Sequence, residues 1–468
     1  MVVEGMLDVV VMAAGKGTRM KSSRPKVLHR LAGRSMLRHV LDTVATLGAR
    51  RVVLVTGHGA EAVEAAPAPQ ALAGRLGFVR QEPHRGTGDA VRHAAPRLAG
   101  DGTVLILNGD VPLIAADTLR ALAAAARSGS LALLAVELDD PTGYGRIVRS
   151  ASGAVSAIVE QKDASEAQRA IRETYTGVMA VPGARLAGWL ARLTDDNAQK
   201  EFYLTDLVAL AVADGVAVQA VVTRDETEVA GVNSPAQLAS LERAFQRRQA
   251  ETLLEAGVRL VDPARFDQRG SLHCGQDVEI DVGCIFEGEV VLGDDVRIGA
   301  HCVLADVHIA AGTVVHPFSH IQGEAAGISV GRNARIGPFA RLRPGARLGD
   351  DVHIGNFVEV KNSTLGAGAK ANHLAYLGDA TVGERVNYGA GSITANYDGV
   401  NKHRTVIGDD ASVGSNCVLV APVTIGAGGT VAGGSTISRD APAGALTVAR
   451  ARQVSIDRWK RPAKKSGQ

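Results

Sequence analysis

Two regions of this sequence carry residues whose types and spacing suit chemistry. In the first, DVVVMAAGKGTRM (8–20), an apolar run from Val9 to Met12 passes into Gly15, Lys16, Gly17, Thr18 and Arg19. A strand that ends in glycines lets a charged group approach the backbone, and two cations beside it suit a triphosphate. The spacing matches neither the Walker A pattern nor GxGxxG, and alone it reads equally as a turn with solvated Lys and Arg. Nearby stretches tip the balance. RPKVLH (24–29) sets Lys26 behind a proline, QEPHRGTGDA (81–90) adds a second glycine loop, and LNGD (107–110) leaves Asp110 at a strand end. A strand-end carboxylate is often a structural cap. Beside phosphate-binding loops it suits Mg²⁺, which takes one or two carboxylates plus phosphate oxygens. In the second region Arg343, Lys361 and His373 interrupt an otherwise bland stretch with polar groups.

The elements that must position these residues differ between the two halves. In the first, apolar runs at 50–57, 103–110 and 130–138 alternate with helical stretches at 34–48 and 118–129. Such alternation predicts a mostly parallel sheet with helices on both faces and ligands at the carboxyl ends of the strands. Ser234 and Pro235 read as the cap and first residue of a connecting helix over 234–256. Beyond about residue 270 the period becomes six: Val330, Ile336, Leu342, Leu348, Ile354 and Val360, then Ile407, Val413, Leu419, Ile425, Val431 and Ile437. That is the hexapeptide repeat of a parallel β-helix, one inward aliphatic per short side. Residues 389–406 break the period and read as an inserted loop. Three hexads make one coil, so Arg343 and Lys361 stack on one side as a phosphate clamp, with His373 near a neighbouring corner. By itself His373 also reads as a surface residue.

Composition sets outer bounds. A chain of 468 residues exceeds one ordinary core, so two domains are expected. A net charge of +2 offers no bulk basic surface for nucleic acid, and the basic stretch at 450–465 reads as a solvated terminus. No apolar run is long enough to span a membrane, and the start of the chain has no basic segment of a signal peptide. The four cysteines lack zinc-ligand spacing and read as reduced, partly buried thiols. A cytoplasmic protein is expected.

MAAGKGTRM, RPKVLH and LNGD together resemble the sugar-phosphate nucleotidyltransferases. With GTGDA (86–90), PTGYGRIVR (141–149), IVEQKDA (158–164), EFYLTD (201–206) and EVAGVNS (228–234) joined to a hexapeptide β-helix, the likeness covers nearly the whole chain. It points to the bacterial bifunctional N-acetylglucosamine-1-phosphate uridylyltransferase/glucosamine-1-phosphate acetyltransferase family. The resemblance implies a Rossmann-like α/β uridylyltransferase domain over 1–233, the helix over 234–256, and a left-handed β-helix acetyltransferase domain over 257–468. It implies acetylation of glucosamine-1-phosphate by acetyl-CoA, then UMP transfer from UTP, giving UDP-N-acetylglucosamine for cell-wall and lipopolysaccharide precursors.

By the same resemblance Met12, Ala13, Ala14, Gly15, Gln81, Gly86 and Thr87 hold the uracil and ribose end of UTP, with Asn108 and Gly109 in the same site. Lys26 contacts its phosphates, Asp110 and Asn233 carry Mg²⁺, and Gly145 and Glu160 face the sugar. Tyr175 also belongs to this site, where related chains usually have Asn; a phenol and an amide differ in reach and in hydrogen-bond inventory. In the second half His373 is the general base, an imidazole whose reference pKa of about 6.5 suits the task. Tyr376, Asn387, Asn396 and Tyr397 match positions that contact sugar or donor. Ala390, Ser415, Gly433 and Arg450 match the acetyl-CoA side, Gly433 standing where relatives often have Ala. The implied assembly is a homotrimer with the acetyl site between chains.

Two other classes compete. One is a monofunctional sugar-1-phosphate nucleotidyltransferase whose β-helix only oligomerises or regulates. His373 with Arg343 and Lys361 argues against it. The other is a non-catalytic trimeric scaffold, opposed by the charged residues at strand ends and corners in both halves.

Overall fold

The computed structural model describes residues 6–127 and 129–462. The expected absence of a signal segment falls partly on residues 1–5, and the last part of the basic tail on 463–468, both outside the described residues. The chain divides into two compact units, Met1–Phe245 and Gln246–Gln468.

The first unit is built on nine strands: β1 (Leu7–Met12), β2 (Arg51–Thr56), β3 (Leu76–Arg80), β4 (Thr103–Asn108), β5 (Leu131–Glu137), β6 (Gly145–Arg149), β7 (Val155–Val159), β8 (Glu173–Pro182) and β9 (Val218–Thr223). They run in the order β9-β5-β8-β4-β1-β2-β3, with the β6–β7 hairpin attached to β8. β1 pairs in parallel with β2 and β4, β2 with β3, and β9 with β5. β8 runs antiparallel to its neighbours β4 and β5, and the hairpin strands β6 and β7 pair antiparallel with each other, β6 also with β8. The reason is its connection: β8 follows a hairpin rather than a crossover helix, so nothing returns the chain to the starting edge.

Alternation along β1 feeds two cores. Val9 and Val11 pack with Leu37, Val40 and Val44 of α1 (Met36–Ala45), while Val10 packs with Ala90, Val91 and Ala94 of α2 (Thr87–Ala94). Asp8 is fully buried in the same strand. Its carboxylate accepts from Arg50 Nε at 2.8 Å and from the Ala99 N–H at 2.8 Å, which makes that burial tolerable. The helical stretch expected at 118–129 is α3 (Ala116–Ala125). The expected connecting helix is α4 (Pro235–Glu255), where the Ser234 hydroxyl accepts from the Gln237 N–H at 3.2 Å. The division between the units falls inside this helix, after Phe245.

The second unit is a parallel β-helix. All twelve hexad aliphatics named above are buried, none more than 5% exposed. They stack in three inward columns, for example Ile336 under Ile354, Leu342 under Val360 and Val330 under Leu348. The coil length is not constant. Val360 pairs onward with Leu377, seventeen residues along, and Tyr388 with Val413, twenty-five along. The longer coil contains the expected insertion, but the excursion is narrower than 389–406. Ile393–Ala395 and Thr405–Ile407 both stay in the ladder, and only the residues between them leave it.

One corner column carries rings on left-handed backbone. His301, Phe318, Phe339 and Phe357 stack at centroid separations of 5.3, 5.1 and 5.4 Å. The three phenylalanines and Leu374 beyond them are about half exposed or more. Among the described residues no helix is long and apolar enough to cross a membrane. The four cysteines are free, and burial pushes the Cys284 and Cys302 thiols up to about 11 and about 12, which keeps them unreactive at neutral pH.

Close approach between coils dictates glycine at Gly355. A Cβ there would fall 1.9 Å from the Asn372 carbonyl oxygen of the next coil. Gly355→Ala is expected to cost roughly 1–3 kcal/mol and to lower the apparent melting temperature by several degrees. Gly188→Ala, on an exposed helix face with open space around it, should not. Differential scanning calorimetry of both variants reads the difference.

Candidate functional site

At the carboxyl ends of β1 and β4 the first unit opens into a cavity of about 480 Å³. Met12, Ala13, Ala14 and Gly15 form one wall, Gln81, Gly86 and Thr87 another, and Lys26, Asn108 and Asp110 the floor. The backbone geometry explains the glycines. Gly86 has φ 104, and a Cβ on it would meet the Phe202 carbonyl oxygen at 2.6 Å. Gln81 is buried and ties the second loop to itself, its Nε2 donating to the Gly86 carbonyl at 2.9 Å and to Asp89 at 3.0 Å. The Gly109 N–H donates to the Met12 carbonyl at 2.9 Å, locking the ends of β1 and β4 together. Lys16 and Arg19 are exposed at the rim.

A second cavity of about 200 Å³ adjoins the first, sharing Met12, Thr87 and Asn108. Gly145, Glu160 and Tyr175 line it. Burial holds the Glu160 carboxyl above its ordinary value, against a hydrogen bond at 3.1 Å from the Thr205 hydroxyl. Tyr175 is buried and its hydroxyl has no partner. Burial first, and the Glu160 charge second, push its phenol well above the ordinary tyrosine value. A neutral phenol with a free donor therefore stands where sequence reasoning left the role of this residue open.

Asp110 and Asn233, from distant parts of the chain, are brought together. The Val232 N–H donates to the Asp110 carbonyl at 3.0 Å, and the side-chain oxygens of both residues accept from Lys26 Nζ. Among the described residues no cluster of three or more His, Cys, Asp or Glu forms a metal site. Any cation held here would thus take most of its shell from substrate oxygens and water.

In the second unit Arg343 lies directly below Lys361, its N–H donating to the Val360 carbonyl at 2.9 Å. Arg343 also bonds Glu359 at 2.7 Å. The Lys361 ammonium is held below its ordinary value, first by the side chain of Lys402, then by burial, and then by the charges of Lys402 and Arg343. The charges of Lys402 and Arg343 thus both bear on Lys361, while Asp379 acts in the opposite sense. Lys402 was not legible in the sequence, because it sits in the excursion where the hexad register stops. Nor were Asp379 and Asn362: the buried Asp379 carboxylate accepts from the side-chain amides of Asn362 and Asn396 and so orients Asn396.

His373 is exposed at the end of its strand, stacked on Asn356. Its Nδ1 lies 2.8 Å from Asn356 Oδ1, an atom that only accepts, so Nδ1 carries the proton and Nε2 keeps the lone pair. A seventeen-residue coil would have revealed Asn356, whereas counting in hexads does not. The Tyr376 phenol lies over Gly378, the residue stacked on Lys361; a Cβ at Gly378 would fall 2.2 Å from its oxygen. Asn387 is one coil above Lys370 on the face that carries His373. Tyr397 is exposed in the excursion, its hydroxyl donating to the Gly399 carbonyl. Ala390, Ser415 and Gly433 form one column through successive coils: the Asn416 N–H donates to Ala390 and the Gly434 N–H to Ser415, both at 2.8 Å. Arg450 Nη1 donates to the Gly433 carbonyl at 2.7 Å, bringing the fourth residue of that set to the column.

Comparison with known proteins agrees with both halves. A MobA-like NTP transferase domain matches residues 9–260, and the bacterial transferase hexapeptide (six repeats) matches 327–362 and 404–439. The chain is 69% identical to the bifunctional protein GlmU of Acidovorax ebreus, with 98% of this chain and 99% of the relative aligned. It is 69% identical to that of Methylibium petroleiphilum and 57% identical to that of Bordetella parapertussis, each covering 98% of this chain and 100% of the relative. The chain belongs to the bifunctional GlmU family. It is accordingly a multifunctional transferase, with a nucleotidyltransferase domain followed by a left-handed β-helix acetyltransferase domain.

The unpartnered Tyr175 hydroxyl makes a testable point about this family member. Tyr175→Phe removes a buried donor without breaking a bond inside the protein, so it is expected to leave stability unchanged or raise it by up to about 1 kcal/mol, with the melting temperature steady or higher. A marked fall on calorimetry would show that the hydroxyl is paired.

Proposed function

We propose that the first unit transfers UMP from UTP to N-acetylglucosamine-1-phosphate and that the second acetylates glucosamine-1-phosphate with acetyl-CoA. The observation that carries this reading is the group of Arg343, Lys361 and Lys402 in one unit with His373, whose Nε2 is free. A β-helix that only held copies together would have no use for such a group.

In the first unit residues 12–15, with Gln81, Gly86, Thr87, Asn108 and Gly109, receive the uridine end of the nucleotide. Glu160, Gly145 and the Tyr175 phenol face the acetylated sugar. The attacking group is already an anionic phosphate oxygen, so no general base is required. It forms a bond to the α-phosphorus while the bond to the β-phosphate oxygen breaks, and pyrophosphate leaves with the electron pair. The protein's task is to align two polyanions and neutralise charge through Lys26, Arg19 and backbone N–H groups. Two oxygens that already converge on an ammonium fit a divalent cation, and Asp110 and Asn233 would hold Mg²⁺ there. When bound, the ion supplies charge neutralisation at the phosphates.

In the second unit Arg343, Lys361 and Lys402 hold the sugar phosphate. His373 Nε2 takes a proton from the sugar ammonium, and the freed amine bonds to the thioester carbonyl carbon. The C–S bond then breaks with its electron pair on sulfur, the nitrogen gives up its second surplus proton, and the departing thiolate takes up a proton, leaving the amide and coenzyme A thiol. Asn356 fixes the tautomer this needs, and Asp379 orients Asn396 toward the sugar. Tyr376, Asn387 and Tyr397 complete the sugar and donor contacts. Ala390, Ser415, Gly433 and Arg450 line the path of the coenzyme. We further propose a cytoplasmic homotrimer, supported by the exposed Phe318–Phe339–Phe357 stack, which is too apolar to be left to water.

One assay tests both halves: glucosamine-1-phosphate, acetyl-CoA, UTP and Mg²⁺ should yield free thiol and pyrophosphate. His373→Ala is expected to cut thiol release by roughly 10²–10⁴-fold while pyrophosphate release from supplied N-acetylglucosamine-1-phosphate persists. Raising the pH should partly rescue it, since more substrate amine is then unprotonated. Acetylation at the wild-type rate at neutral pH would remove His373 from the role of base. Lys26→Ala should do the converse, costing about 3 kcal/mol of barrier in uridylyl transfer and leaving acetyl transfer near wild type.

A further inference from the structure

Lys26 stands where a metal would stand. Its Nζ donates both to Asp110 Oδ2 and, at 3.0 Å, to Asn233 Oδ1, and the ion pair is enclosed, with side-chain exposures of 14% and 16%. The backbone of both residues is held: the Val232 N–H bonds the Asp110 carbonyl at 3.0 Å, and the Asn233 N–H bonds Gln237 Oε1 at 2.8 Å. The stem of Lys26 is clamped as well. Gly17, at φ 59, passes so close that a Cβ on it would lie 2.6 Å from Lys26 Cβ. Lys26 also lines the cavity that, on the proposed reading, receives the triphosphate.

We infer that Lys26 is a placeholder: in the free enzyme its ammonium occupies the cation point between Asp110 and Asn233, and an entering divalent ion displaces it toward the nucleotide phosphates. This rests on the proposed assignment of Asp110 and Asn233 to the metal. An ammonium and a dication cannot share two oxygens, because like charges a few ångströms apart repel strongly in an enclosed site. Metal entering alone must therefore strip Lys26 of both its acceptors. With nucleotide present, the displaced ammonium finds phosphate oxygens instead. Metal and nucleotide thus strengthen each other's binding by more than direct coordination provides, and Lys26 carries the coupling.

The test uses Mn²⁺ as probe, followed by electron paramagnetic resonance of the free ion, with and without the α,β-methylene analogue of UTP. Mn²⁺ alone is expected to bind Lys26→Met at least tenfold more tightly than wild type. The gain in Mn²⁺ affinity on adding nucleotide should be at least tenfold smaller in the variant; Mn²⁺ binding to the analogue in solution is common to both proteins and cancels. Lys26→Gln, neutral but still a donor, is the second variant and should follow Lys26→Met. Equal or weaker binding of Mn²⁺ alone, or an unchanged gain, overturns the placeholder, the latter reducing Lys26 to a mere neighbouring charge. Asp110→Ala separates the two claims: if it leaves Mn²⁺ binding in the presence of nucleotide intact, the metal assignment itself is wrong.

Discussion

In the second unit each coil's N–H groups donate to the carbonyls of the next, as Arg343 does to Val360 at 2.9 Å and Glu359 to Ala375 at 2.9 Å. This repeated bond does more than hold the coils together. It fixes which residue lies above which, so Arg343 with Lys361, the His373 imidazole, and the Ala390–Ser415–Gly433 column are placed by backbone pairing before any side chain is chosen. The aliphatic columns inside then have one register in which they meet, since a slip of a single residue would turn Ile354 or Val360 outward. The same logic operates in the first unit. Parallel pairing of β1 with β2 and β4 brings the loop after Met12 and the end of LNGD to one edge.

Polar groups at the two sites are held in functional forms by different means. Glu160 and Tyr175 are shifted mainly by burial, which suppresses their charged forms beside the smaller cavity. Lys361 is held down first by the side chain of Lys402 and then by burial. At His373 a single accepting oxygen on Asn356 decides which ring nitrogen carries the proton. Arg146 shows the structural counterpart: buried and lowered by desolvation, it spans the Tyr144 carbonyl and Gln161 Oε1 and so braces the loops that carry Gly145 and Glu160.

Much of this was legible in the sequence. The hexad aliphatics, the strand and helix runs, and the cap at Ser234 each follow from local periodicity or local hydrogen bonding, and they lie within a few residues of the observed elements. The convergence of Asp110 with Asn233 was expected only from family resemblance, because nothing local links residues so far apart. The antiparallel course of β8 was not visible, since a strand's direction depends on the connection before it rather than on its own residues. Asn356 escaped because strict hexads imply an eighteen-residue coil, and the coil from Asn356 to His373 has seventeen. Lys402 escaped because the excursion between Ala395 and Thr405 has no period at all.

The coil spacing also acts as a ruler. Backbones of adjacent coils are held about 4.8 Å apart by the ladder, a distance that no side-chain substitution alters. Arg343 and Lys361 hang from neighbouring rungs, so the gap between their attachment points belongs to the scaffold. Lys402 hangs from the excursion instead, off the ladder, and its reach can be lengthened or shortened by inserting or deleting residues without disturbing a rung. Two jaws of this grip are therefore of fixed gauge and the third is adjustable. On the proposed phosphate-holding role of these cations, the excursion is the path of least resistance for a change in which sugar phosphate fits.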